Sequence, residues 1–132
     1  MTEPKDVIVK NRKLSDILDD HKLWLNTKGK EGKKADLSGE TLENINLSGV
    51  DLSEANLSNA TLKNINWNEA DLSRADLNNA TILGINWRLL YRYNDINLEG
   101  AMGKLPEGYV YKKEVNNGNP HNRVGRPIEI VP

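Results

Sequence analysis

Apolar residues recur every five positions through the middle of the chain, between residues 35 and 87. The residue two places before each central position is small or aliphatic, with Glu40 as the one exception. This spacing matches neither the 3.6-residue period of a helix nor the alternation of a strand, and a fixed repeat is typical of a solenoid. The eleven central positions are all apolar: Leu37, Leu42, Leu47, Leu52, Leu57, Leu62, Trp67, Leu72, Leu77, Ile82 and Trp87.

A second period of twenty residues is superimposed on the first. The triplet Ile-Asn-Trp at Ile65–Trp67 returns at Ile85–Trp87, and Ala35 is followed by Ala at positions 55 and 75. Four pentads therefore make one square coil, and like residues stack on like in neighbouring coils at the spacing of a parallel β ladder. This predicts an all-β solenoid, a quadrilateral parallel β-helix of about three coils. Both Trp67 and Trp87 should point inward and be mostly buried.

The pentads "ADLSG", "ANLSN", "ADLSR" and "ADLNN" resemble the A(D/N)LXX unit of the pentapeptide-repeat family. The resemblance covers about residues 35–103 and implies a right-handed quadrilateral β-helix. The stretch "HKLWL" before the repeats is similar to the leader of bacterial members. Glu40, the two tryptophans and a slip in the repeat after Leu90 depart from the pattern.

The flanks are predicted to cap an otherwise open coil. Residues 1–34 are interpreted as an N-terminal arm and a capping helix, with Ser15 as its N-cap and Gly29 beyond its end. His21 is interpreted as a satisfied residue of the cap and not as a catalyst. Residues 104–132 form a C-terminal extension, with strands expected in "YVYKKEV" and "IEIV" and a loop between them. The apolar face of the helix comprises Leu14, Ile17, Leu18, His21 and Leu25.

The slip is one extra residue within "RLLYRYN", because Leu98 follows Leu77 by twenty-one residues and not by twenty. Two interpretations are open: a bulge that relieves packing around a large side chain, or a recognition patch of Tyr91, Arg92 and Tyr93. If residues twenty apart stack in one column, Tyr91 is expected to lie above Asp51 and Asp71.

Charge is unevenly distributed, although the net charge is only -1. Residues 1–34 hold nine Lys and Arg against six Asp and Glu, whereas residues 35–88 hold three against eight. The lysines at positions 28, 30, 33 and 34 are interpreted as a solvated loop, so no direct nucleic-acid binding is expected. Cysteine is absent, and no apolar run is long enough to span a membrane. No signal-peptide pattern is present at the start, and a cytoplasmic location is expected.

No catalytic motif is present, and no metal or cofactor is expected. The predicted function is a non-enzymatic module that presents rigid faces to a protein partner. A second hypothesis is a DNA mimic, or an anti-defence or gyrase-type inhibitor, that acts through the acidic faces, as the family resemblance implies for some quinolone-resistance proteins. A third is a structural subunit that stacks through the C-terminal coil. The repeat carboxylates also have a structural interpretation, as side chains that hydrogen-bond to the backbone of the corners. The candidate partner-binding residues are Asp36, Asp51, Glu54, Glu69, Asp71, Asp76, Tyr91, Arg92 and Tyr93.

Overall fold

The computed structural model describes residues 1–104 and 106, together with the backbone of 109–111 and 127–129. One α-helix, two 3-10 turns and short strands make up its regular structure. The α-helix α1 is Leu14–Asn26, and the 3-10 turns are Pro4–Asp6 and Trp87–Leu89. The strands are β1 Ile8–Val9, β2 Arg12–Lys13, β3 Thr41–Glu43, β4 Thr61–Lys63, β5 Thr81–Leu83, β6 Met102–Gly103, β7 Tyr109–Tyr111 and β8 Pro127–Glu129.

The middle of the chain winds into stacked square coils, as the twenty-residue period predicts. Strands β3, β4, β5 and β6 pair in parallel in that order, with Thr41 opposite Thr61 and Thr61 opposite Thr81. Isolated parallel bridges hold the other sides, and all of them except Thr2–Ile45 join a residue to its counterpart one coil away. The outward side of β3–β6 is called the strand face.

Every fifth residue from Gly39 to Gly84 has a positive φ. These residues form the corners of the square coil, where the chain turns from one side to the next. Left-handed backbone suits Gly and Asn best, since other side chains meet the following carbonyl. The five-residue period therefore sets the positions of the left-handed corners as well as those of the inward side chains.

The inward positions form one continuous apolar core. Central leucines from Leu37 to Leu77 are buried, and the alanines at the second inward position are buried with them. Trp67 and Trp87 are 3% and 4% exposed, which confirms that both point inward. Glu40, the exception to the pattern, is only half-buried at the first coil.

Helix α1 lies over the start of the first coil and buries Leu14, Ile17 and His21. The predicted N-cap is wrong: the helix begins at Leu14, its N-cap is Lys13, and no side chain caps it. The chain enters from a hairpin instead, and the Leu14 N–H donates to the Val7 carbonyl at 2.8 Å. This backbone bond satisfies the N–H of the first helical residue.

The helix ends in a paired-turn motif that confirms Gly29 beyond its last residue. The Gly29 N–H donates to the Trp24 carbonyl at 2.8 Å, and the Lys28 N–H to that of Leu25 at 3.3 Å. These are the two bonds of a Schellman motif. Lys28 takes the left-handed position with φ 55, and Gly29 follows with φ 84.

The N-terminal arm contains two features that the periodicity does not predict. Strands β1 and β2 form a tight antiparallel hairpin, with Val9 opposite Arg12. Before the hairpin, Thr2 forms a parallel β-bridge with Ile45. The Thr2 N–H donates to the Asn44 carbonyl at 2.8 Å. The arm thus extends one side of the coil by part of a turn.

The extra residue lies at the start of the predicted segment, in the 3-10 turn Trp87–Leu89. The backbone hydrogen bonds between neighbouring coils are already shifted by one residue at Leu89. Its carbonyl accepts from the Glu69 N–H at 2.6 Å. The expected column of Asp51, Asp71 and Tyr91 is therefore wrong, because the slip precedes position 91. Arg92 pairs with Asp71 in the parallel ladder, and Asn97 pairs with Asp76.

The C-terminal extension contains an antiparallel pair, β7 with β8, in which Val110 lies opposite Ile128. Strand β7 falls within the first segment for which a strand is expected, and β8 overlaps the second but begins one residue before it, at Pro127. The loop is expected at residues 116–127, of which 116–126 lie outside the described residues, and Pro127 belongs to β8 and not to a loop.

Candidate protein-binding face

The carboxylates of the repeat serve the corners, as their structural interpretation predicts. In Asp51, one oxygen accepts from the Ser53 N–H at 3.0 Å and from the Ser53 hydroxyl at 2.6 Å. Asp71 repeats this with Ser73, and Asp36 with Ser38. Each short carboxylate therefore fixes the turn that follows it, and the pKa of Asp36 lies below its usual value mainly because of its bonds to Ser38.

Two columns carry the candidate aspartates. The first runs through Asp36, Asn56, Asp76 and Asn97, and its side is called the Asp36 face. The second runs through Asp51, Asp71 and Arg92, and its side, with the two corners that border it, is called the Asp51 face. The structure thus places the six acidic candidates on two adjacent sides of the coil.

Cations interrupt both acidic columns. Lys10 from the hairpin lies 3.3 Å from Asp36, and Arg92 lies 3.2 Å from Asp71. At the corner, the Arg74 guanidinium is 3.9 Å from the Glu54 carboxylate. Asp51 and Glu69 have no cation within ion-pair distance in the part of the chain that the structure describes. The surface is mixed in charge and not uniformly acidic.

The corners distinguish the Asp51 face from its neighbours. Corners that follow the Asp36 face and the strand face are Gly or Asn in every coil: Gly39, Asn59, Asn79 and Gly100, and Asn44, Asn64 and Gly84. Of the corners that border the Asp51 face, Gly49 keeps the common pattern with φ 68, whereas four carry charged residues with positive φ: Glu54 at 64, Glu69 at 62, Arg74 at 56 and Asp95 at 55.

The three aromatic and basic candidates do not form one patch. Tyr91 is 66% exposed, and the Arg92 guanidinium lies 4.7 Å from its ring centre while also pairing with Asp71. Tyr93 turns inward, above Leu72, and packs edge-on against Trp87 with ring centres 5.2 Å apart. Only Tyr91 and Arg92 are therefore available at the C-terminal end of the Asp51 face.

His21 is fully buried and joins the cap to the coil. Its Nε2–H donates to the Ser53 carbonyl at 2.8 Å, and its Nδ1 accepts from the Ala35 N–H at 2.9 Å. These partners assign the neutral tautomer with the proton on Nε2. Burial lowers the pKa of His21 below its ordinary value of 6.5. The imidazole takes the place that a preceding coil would occupy, as expected for a satisfied cap residue.

A cleft of about 490 Å³ opens at the N-terminal end of the Asp51 face. Pro4, Leu18 and Val50 supply its apolar wall, and Asp51 stands at its edge. The cleft exists because helix α1 and the arm lie against the corner of the first coil without filling it.

Arg74 and Asp95 are surface residues of this face that the sequence analysis did not select. Their signal was nevertheless present, since each occupies the fifth position of a pentad where most repeats have Gly or Asn. Among the described residues, no group of three or more His, Cys, Asp or Glu is placed to hold a metal ion. Likewise, no helix there has the length and apolar content needed to cross a bilayer.

Comparison with known proteins agrees with the coil. The profile of pentapeptide repeats matches residues 33–66 and 55–86, in eight copies. Residues 33–86 of this chain are repeats of the pentapeptide-repeat family. Its coil is the right-handed β-helix of that family, with one helix at its N-terminal end.

A similar solved structure is that of the pentapeptide repeat protein Rfr23 from the cyanobacterium Cyanothece 51142. It is 28% identical to this pentapeptide-repeat protein over 58% of this chain and 61% of that one, with a TM-score of 0.34. The alignment thus spans less than two thirds of the length of that protein. No match was found among the curated proteins.

Proposed function

We propose that this protein is a non-enzymatic module that binds a protein partner through the Asp51 face. The observation that carries the proposal is the charge at left-handed corners. Glu54, Glu69 and Arg74 occupy backbone conformations in which the other two corner columns have only Gly or Asn. A left-handed conformation costs a residue other than Gly roughly 1 kcal/mol, and Asn less because of its short polar side chain.

Local contacts offset little of this cost. The Arg74–Glu54 pair is long and both side chains are exposed, so it contributes at most about 1 kcal/mol. Glu69 has no ion pair at all within the described residues. Backbone strain that local contacts do not offset is characteristic of positions kept for binding.

The two ends of the Asp51 face supply the apolar and aromatic contacts that its charged corners lack. Protein interfaces draw most of their affinity from apolar or aromatic anchors in desolvated sites. Here the cleft beside Asp51 can receive a partner side chain, and exposed Tyr91 can insert into a partner. The charges between them would fix orientation and register. We place this activity in the cytoplasm, which cell fractionation tests.

The experiment uses a triple variant, Glu54→Asn, Glu69→Asn and Arg74→Asn. It gives the Asp51 face the corner residues of the other faces while leaving Asp51 and Asp71 in place. Affinity capture from the native host, read by mass spectrometry, should recover a partner with the natural protein and lose it with the variant.

The matched control is Asn59→Gly with Asn79→Gly, which changes two left-handed corners of the Asp36 face. This control should capture the same partner as the natural protein. Equal capture by all three proteins would show that the charged corners are not part of the interface.

The DNA-mimic hypothesis predicts a different dependence on salt and charge. Its binding would weaken steeply with ionic strength and would be abolished by reversing Asp51, Asp71 and Asp76 to Lys. Cations beside Asp36, Glu54 and Asp71 favour the mixed interface over a mimic of uniformly charged phosphates.

The third hypothesis, end-to-end stacking through the C-terminal coil, is tested by deleting residues 104–132. A change in oligomer mass in light scattering would support stacking, and an unchanged monomer would exclude it.

A further inference from the structure

A small pocket of about 120 Å³ lies in the cap and shares no lining residue with the cleft beside Asp51. Four segments meet there: the β1–β2 hairpin, helix α1, the loop after the helix and the first pentad. Four of the six residues that line the pocket are cationic. The lining comprises Lys10, Arg12, Ile17, Lys33, Lys34 and Asp36.

The loop that carries Lys33 and Lys34 is held tightly against the helix. Gly32 has φ 72, and a Cβ there would lie 2.4 Å from the Asp20 carbonyl oxygen, so only glycine fits. The next residue, Lys33, donates its N–H to that same carbonyl at 3.2 Å. The Thr27 hydroxyl closes the loop by accepting from the Glu31 N–H at 2.9 Å. The backbone beneath the two lysines is therefore fixed.

The hairpin wall is equally constrained. Lys10 and Asn11 form its two-residue turn with φ 50 and 65, the combination of a type I′ hairpin. Arg12 is held by Asp20 at 2.7 Å, and Lys10 reaches Asp36 at 3.3 Å. Both cations thus point into the junction from a rigid turn and not from a flexible arm.

The charges around the pocket do not balance. Asp36 and the neighbouring Asp20 compensate Lys10 and Arg12. Lys34 lies over the Trp24 ring, 5.7 Å from its centre, and no carboxylate pairs with it in the described structure. Lys33 also has no ion-pair partner among the described residues. Two positive charges in excess therefore remain among the residues that line the pocket.

We propose that this pocket binds one tetrahedral dianion, a phosphate group. Two uncompensated cations match its charge, and the Arg12 guanidinium, which donates from Nη2 to Asp20, has further N–H donors for phosphate oxygens. One water occupies about 30 Å³ in the liquid, so the pocket holds roughly four waters or one anion of that size.

The pocket differs from a nucleic-acid surface in extent. It admits a single anionic group, and the adjoining coil carries Asp36 and Asp76, which repel a continuous phosphate backbone. A small ion or one phosphorylated group is the ligand that this geometry accepts.

The test is a titration with inorganic phosphate, followed by NMR of the Lys33 and Lys34 backbone amides, with chloride at equal ionic strength as the reference. We expect saturable shifts with a Kd on the order of 1 mM, and a higher Tm in phosphate than in chloride. The variant Lys33→Gln with Lys34→Gln should weaken binding about tenfold or more, since two uncompensated charges are removed.

The matched control is Lys28→Gln with Lys30→Gln, which removes the same charge from the same loop away from the pocket. It should change the Kd less than about twofold. Circular dichroism in chloride verifies that both variants fold.

A third arm with phosphoserine distinguishes the sources of the phosphate. Tighter binding than inorganic phosphate indicates a phosphorylated molecule, whereas weaker binding indicates the free ion. The absence of saturable shifts, or equal weakening in both lysine pairs, would overturn the proposal.

Discussion

The cap and the coil of this protein are stabilised in different ways. In the coil, a residue meets its own counterpart one coil away, as Thr41, Thr61 and Thr81 do. In the cap, single residues make contacts that occur once. His21 joins two backbone groups of the first coil, and Gly32 lets the loop touch the helix.

The difference teaches where sequence is replaceable. A coil position tolerates any side chain that fits its column, which is why Trp67 and Trp87 substitute for leucine. A residue of the cap is not stacked on equivalent residues, so a substitution there removes a contact that nothing else in the fold makes. The coil specifies the fold by repetition, whereas the cap depends on a few particular atoms.

The largest contrast should appear between two glycines with the same backbone conformation. Gly32 and Gly39 have φ 72 and 71, but a Cβ meets backbone at 2.4 Å in the first and nothing within 4 Å in the second. We expect Gly32→Ala to cost about 3 kcal/mol of unfolding free energy and Gly39→Ala about 1 kcal/mol, the cost of the conformation alone.

Urea unfolding of both variants measures the two costs. Equal losses would mean that the cap loop yields as easily as an open corner, and the contrast between the regions would then fail.

A smaller loss is expected on replacing the linking histidine. His21→Leu leaves the Ser53 carbonyl and the Ala35 N–H buried without partners, at a combined cost of about 2–3 kcal/mol. The exposed neighbour Lys22→Ala should change stability by less than about 0.5 kcal/mol. A loss for His21→Leu no larger than for Lys22→Ala would show that the two bonds do not hold the cap.

His21 should also make the cap sensitive to acid. Burial disfavours the charged ring and lowers its pKa below 6.5, so the unfolded chain binds the proton first. The stabilising contribution is complete above pH 6.5 and is lost as pH falls from there through the lowered pKa. The contribution of Asp36, whose pKa is lowered from 3.8, is lost only at still lower pH.

Stability measured between pH 7 and pH 4.5 should therefore fall for the natural protein. It should fall less for His21→Leu. Parallel pH curves for the two proteins would assign the acid sensitivity to other groups.

The smallest effect should be a gain. Arg74→Asn replaces a charged residue at a left-handed corner by the residue that fits it best, and we expect stability to rise by about 0.5 kcal/mol. Asn79→Arg at the next corner is the reverse change and should lose a similar amount. Thermal melts of both variants test this, and a loss for Arg74→Asn would mean that its pair with Glu54 outweighs the strain.

Repetition made the coil predictable. Eleven apolar centres at fixed spacing allow one arrangement in which all point inward, and that arrangement placed Trp67 and Trp87 in the core. The acidic columns followed from the same spacing, and so did the corner bonds of Asp51 and Asp71 to the serines that follow them.

The parts without repetition were not predictable in the same way. Leu89, Leu90, Tyr91 and Tyr93 are all suitable inward residues, so periodicity could not place the extra residue among them, and Tyr91 was assigned to the column that Arg92 occupies. The helix start was missed because Leu14 is fixed by a backbone hydrogen bond to Val7, and no side-chain cap marks the boundary. The pairing of Thr2 with Ile45 spans forty-three residues and has no local signal.

The constant sequence separation of the contacts between coils also determines the order in which the chain folds. Most stabilising contacts in the coil join residues about twenty apart, so a nascent coil can consolidate as soon as the next one has emerged from the ribosome. The cap precedes the coil in the chain, but its closure must wait, because the carbonyl that His21 requires belongs to Ser53. The cap is therefore closed only after the first full coil exists.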